Sequence, residues 1–102
     1  MSKEFTVKCK WRGTDKERVV ANHTFTLRGL QNAYATMRRH RAETWRTATT
    51  VADMADLISW VECDGQRLDT RILADVVSAL DINEAAGSAE WTWALGELGL
   101  TE

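Results

Sequence analysis

The spacing of the apolar residues changes once, abruptly, and that change limits the folds open to this chain. Over residues 5–11, Phe5, Val7, Cys9 and Trp11 alternate with Thr6, Lys8 and Lys10, the pattern of a strand with one face buried. A polar turn over residues 12–18, with Gly13, Thr14 and Asp15 inside it, leads to a second alternating run. There Val19, Ala21, His23, Phe25 and Leu27 lie on one side, and Asn22, Thr24 and Thr26 on the other. The two runs predict an antiparallel hairpin with one apolar face and one polar, basic face. Gly29 ends the second strand. Beyond it Leu30, Ala33, Tyr34, Met37, Thr44 and Trp45 share one side of a helix that runs to about Arg46. Arg39, Glu43 and Arg46 lie opposite, and Arg41 falls inside the apolar stripe, where its charge needs a partner.

The following segment fits two periods. A short helix over about 51–57 and then a strand over about 58–63 reconcile them. A longer helix through Val51, Met54, Ala55, Ile58 and Val61, or a hairpin about Asp64-Gly65, are the alternatives. Asp69 is a good N-cap for a helix over about 70–80, with Ile72, Leu73, Val76, Val77 and Leu80 inward. After a loop over 81–87, the alternation of Trp91, Trp93 and Leu95 predicts a final strand over 88–95, a helix capped by Ser88 being the alternative. The chain is therefore expected to be an α+β protein whose N-terminal hairpin packs on an amphipathic helix, in one domain over residues 1–102.

The run Ile58-Ser59-Trp60-Val61, then Gly65-Gln66-Arg67-Leu68-Asp69, then Leu73-Ala74-Asp75 and Asp81-Ile82 resembles the C-terminal part of the β-grasp, or ubiquitin-like, folds. The resemblance implies the order hairpin, helix, strand, short strand, helical segment, strand. Conjugation to a substrate is not implied, because the chain ends Gly99-Leu100-Thr101-Glu102 rather than in Gly-Gly.

Catalysis is poorly supported. His23 lies on the apolar side of its strand, as a hydrogen-bonded core imidazole would. His40 stands between Arg39 and Arg41 and reads as a solvated helix residue. Cys63 sits between Glu62 and Asp64, whose charges disfavour a thiolate, and Cys9 points inward. The two cysteines fit no metal or redox spacing and read as reduced thiols of a cytoplasmic protein. The six Gly form no phosphate loop, so neither metal nor other cofactor is expected. Neither an apolar signal segment nor a membrane span is visible, and Asn22-His23-Thr24 is a chance glycosylation match.

Charge is the most informative feature. The formal net charge is −2, yet residues 1–48 hold eleven Lys and Arg against four acids, a balance of +7, and residues 49–102 hold two against eleven, a balance of −9. Such asymmetry points to a charged partner. The first expectation is a non-enzymatic protein-binding module. Its carboxylates, Asp53, Asp56, Glu62 and Asp64 foremost, would engage a basic surface of a nucleic-acid-handling host complex, as an inhibitor from a phage or mobile element would. The second is nucleic-acid binding through Lys8, Lys10, Arg12 and Arg18, taken to share the outer surface of the hairpin, and Arg38, Arg39 and Arg46 on the helix, with Trp11 or Trp45 as a stacking face. The third is head-to-tail homo-oligomerisation of the oppositely charged halves.

Overall fold

The first strand, β1 (Glu4–Trp11), carries the alternation into the fold: Phe5, Val7 and Cys9 are buried, while Thr6, Lys8 and Lys10 face the other side. A computed structural model describes residues 3–13, 15–47, 57–82 and 87–101, without the side chains of 45–47 and 81–82. Within them follow β2 (Arg18–Thr24), α1 (Leu27–Thr47), β3 (Leu57–Cys63), β4 (Gln66–Arg67), α2 (Thr70–Ile82) and α3 (Ser88–Glu97). The strands form one antiparallel sheet in the order β2-β1-β3-β4. Helices cover one of its faces. Phe5, Val7, Val61 and Cys63 from the sheet meet Leu30, Ala33 and Met37 of α1, Leu73, Val76, Val77 and Leu80 of α2, and Ala94 of α3. Burial of these side chains supplies the main stabilising free energy, about 1.5–3 kcal/mol for each large one.

The hairpin forms as expected, with one local departure. Its register slips between Val7 and Lys8, which face Ala21 and Val19, leaving Val20 as an extra residue. A bulge of this kind moves every following side chain to the opposite face. Val19, expected inward, is therefore 59% exposed, and Val20 packs on the core instead. The strand also stops earlier than its alternation suggests. Thr26 caps α1, its hydroxyl accepting from the Gly29 N–H at 3.0 Å, so Leu27 already belongs to the helix and Gly29 lies in its first turn rather than ending β2.

Along α1 the inward side passes from Ala33 and Met37 to the half-buried His40 and Thr44. Arg41 is exposed, because the buried stripe steps by three residues at that point and leaves it outside. His40, expected to be solvated, is half-buried. The helix expected over 51–57 falls mainly on residues outside the described ones, and Leu57 itself opens β3. β3 continues into β4 through Asp64 and Gly65, whose φ values of 55° and 82° suit a tight two-residue hairpin.

Asp69 caps α2 as expected, accepting the Ile72 N–H at 3.0 Å, although Ile72 itself is 40% exposed. The strand expected over 88–95 is instead α3. Trp91, Ala94, Leu95 and Leu98 fall at helical spacing, and the Glu90 carboxylate accepts the Gly87 N–H at 2.7 Å. Trp91 joins Phe5 and Phe25 in an aromatic trio with centroids 5.2–6.2 Å apart, while Trp93 turns outward at 45% exposure. The element order thus departs from that of a β-grasp at its last member, a helix in place of a strand.

Candidate functional site

Trp11 has the parity of Phe5, Val7 and Cys9, so it projects to the helix side of the sheet. It lies at the very end of β1 and is 38% exposed. Arg18 faces Cys9 across the hairpin and so projects to that same side. Trp11, Asp15, Lys16 and Arg18 line a pocket of about 440 Å³ at the hairpin end. Arg18 is thereby separated from Lys8 and Lys10, which face the opposite side of the sheet. The expectation that these cations share one surface is corrected, because the bulge at Val20 reverses the direction of Arg18.

Further cations lie along α1. His23 and Thr36 are hydrogen-bonded at 3.0 Å, and α1 runs back antiparallel to β2. About 16 Å of strand leads from His23 to Arg18, and about 16 Å of helix from Thr36 to Thr47. The C-terminal end of α1 therefore reaches the level of the hairpin end, while Arg38, Arg39 and Arg41, exposed on the helix, lie about 9–13 Å short of that level. The Arg38 guanidinium stands 5.8 Å from the Tyr34 ring centroid. With Arg28, Gln31, Asn32 and Val77, these two line a second groove of about 400 Å³. The Arg46 side chain lies outside the described residues.

On the opposite face of the sheet, Lys8 is tied to two carboxylates. Lys8 stands 3.2 Å from Glu17 and 3.3 Å from Glu62. The hydrogen bonds to both carboxylates raise the Lys8 pKa above its ordinary value. The Trp60 indole N–H donates to Glu62 at 2.7 Å, and the Arg67 guanidinium lies over the Trp60 ring, 4.4 Å from its centroid. Glu62, expected as an open carboxylate, is 9% exposed and committed to Lys8 and Trp60. Asp64 is exposed at its turn, whereas Asp69 and Glu90 serve as helix caps. Asp53 and Asp56 lie outside the described residues.

Among the described residues, the ion pairs present are Lys8–Glu17 and Lys8–Glu62; Lys16, Arg18, Arg38 and Arg39 have no carboxylate within that distance. In the sequence Lys16 stands only among the eleven cations of residues 1–48, and Trp11 as one of two stacking candidates. Strand parity was the signal for Trp11, but its partnership with Arg18 depends on a bulge that alternation does not reveal.

Nothing in the described residues is tuned as a nucleophile. Burial raises the thiol pKa of Cys9, with Arg18 opposing, and burial followed by Asp64 raises that of Cys63. His23 serves the β2–α1 contact. No group of three His, Cys, Asp or Glu among the described residues could hold a metal ion, and no described helix is long and apolar enough to cross a membrane. Comparison with protein-family models, with curated proteins and with solved structures gives no match.

Proposed function

We propose that this chain is a non-enzymatic module that binds nucleic acid with its hairpin end and the adjoining half of α1. The observation that carries the reading is the pair of exposed cations, Lys16 and Arg18, that share a pocket with the Trp11 indole. Among the described residues neither of them enters an ion pair, and Arg38 and Arg39 on α1 are likewise exposed, whereas the exposed carboxylates Glu4, Asp64, Asp75 and Glu97 are carried by β1, the β3–β4 turn, α2 and α3. Cations held this way release counterions when they meet phosphates, which is the main source of non-specific affinity. The exposed carboxylates Glu4 and Asp64 weigh little on it. Glu4 and Asp64 lie at the far end of β1 and β3, about 20 Å from Trp11, or roughly two Debye lengths at physiological salt.

Fluorescence anisotropy with labelled mixed-sequence DNA and RNA tests the reading. Micromolar or tighter binding at about 50 mM salt is expected, weakening roughly 100-fold by about 200 mM if four phosphates are neutralised. Replacing Lys16, Arg18, Arg38 and Arg39 by Ala should abolish it. Absence of binding at micromolar protein in low salt ends the reading.

A second reading, recognition of a basic protein surface by carboxylates, is favoured by the small groove that Glu4 and Asp64 rim beside Thr6 and Gly65, with the paired Lys8 and Glu62 in its lining. Affinity capture from host extract with the chain and with its E4Q/D64N variant tests it. Equal recovery of a partner by both sinks it.

A further inference from the structure

Resting on the nucleic-acid reading, we propose that the pocket at the hairpin end takes one unstacked base of a single strand, held against the Trp11 indole. Three features converge there. Among the described lining residues the indole is the one aromatic surface, and stacking on an exposed ring accepts any base because every base has a π-face. Lys16 and Arg18 share the lining, placing cations where the phosphates on either side of an inserted base would run. Asp15, the carboxylate among them, would repel a phosphate but accept a hydrogen bond from the amino group on a base edge. The backbone therefore passes by Lys16 and Arg18, and the edge of the base turns to Asp15.

The pocket, at about 440 Å³, is within the size range of small-ligand sites. A duplex conceals its base faces in the stack and could reach only the cations. Arg38, about 13 Å from the level of the hairpin end along α1, offers a further phosphate contact to strand leaving the pocket.

The discriminating experiment measures binding of a 12-nucleotide single strand and of its duplex by anisotropy, at one salt concentration, with the full chain and its variants. The wild type should bind the single strand about tenfold tighter than the duplex. Trp11→Leu should lose about tenfold toward the single strand and leave the duplex unchanged, Trp11→Phe should keep most of the affinity, and Lys16→Ala with Arg18→Ala should weaken both. Circular dichroism confirms that the Trp11 variants remain folded. If Trp11→Leu matches the wild type on both nucleic acids while the double Ala variant weakens them, stacking is overturned and the nucleic-acid reading stands. If no variant or wild-type protein binds either form, both fall together.

Discussion

Gly29 sits against the carbonyl oxygen of Thr24, so close that a Cβ on it would overlap that backbone atom. The Thr26 N–H also donates to this carbonyl at 2.9 Å, holding in place the sharp passage from β2 into α1. Ala in a helix normally gains about 1 kcal/mol over Gly. Here the obstacle is backbone and cannot swing aside, so the overlap outweighs the propensity. Gly29→Ala should destabilise by about 2 kcal/mol, and thermal unfolding should show a midpoint lowered by roughly 10 °C. An unchanged or raised midpoint would contradict the close approach.

Glu62 serves two partners on the sheet face away from the helices, the Trp60 indole at 2.7 Å and the Lys8 ammonium at 3.3 Å. Removing the carboxylate leaves a buried N–H without an acceptor, which costs about 1–3 kcal/mol. Glu62→Ala should therefore lower the urea midpoint by more than Glu62→Gln, whose amide oxygen can still accept from the indole. Equal midpoints for the two variants, at unchanged m, would show that the indole bond carries no weight.

Trp91 and Trp93 separate a helix from a strand at the C-terminal end. Two residues apart, they would share one face of a strand, but on α3 they diverge. Trp91→Ala should cost about 3 kcal/mol through loss of packing against Phe5 and Phe25. Trp93→Ala should stay within about 0.5 kcal/mol. Similar losses in thermal unfolding would speak for the strand.

Alkaline pH should weaken the fold in two successive windows. Burial lifts the Cys9 and Cys63 thiols above their ordinary 9.0. Above about pH 9 the unfolded chain has therefore lost thiol protons that the folded chain keeps, and stability falls as pH rises. Lys8, raised above 10.5 by Glu17 and Glu62, contributes stability fully present below 10.5 and lost as pH climbs through its higher folded value. Melting curves from pH 8 to 11.5 should decline accordingly. Cys9→Ala with Cys63→Ala should flatten the earlier part and Lys8→Met the later; an unaltered profile in these variants would refute the assignment.

Elements whose burial follows one internal period were legible in the residues. Phe5, Val7 and Cys9 alternate inward along β1, and Leu73, Val76, Val77 and Leu80 share the inner side of α2 behind its Asp69 cap. The passage from β2 to α1 was legible in kind but displaced by some residues, because Thr26 and Gly29 act through the Thr24 carbonyl rather than through periodicity. At 88–95, Trp91, Trp93 and Leu95 satisfied a strand, while Trp91, Ala94, Leu95 and Leu98 satisfied a helix. The space beside Phe5 and Phe25 decided between them.

The separation of positive from negative residues along the chain is a property of the sequence alone, as is the switch from a two-residue to a helical period that sets an α+β protein. Which charges meet is a different matter, decided by pairing between distant segments. Strand register sets Glu62 beside Lys8, and one extra residue at Val20 turns Arg18 toward Trp11. Periodicity is carried within a segment and survives in one dimension. Register, bulges and ion pairs exist only between segments, so the tertiary structure alone determines which cations are left open to solvent.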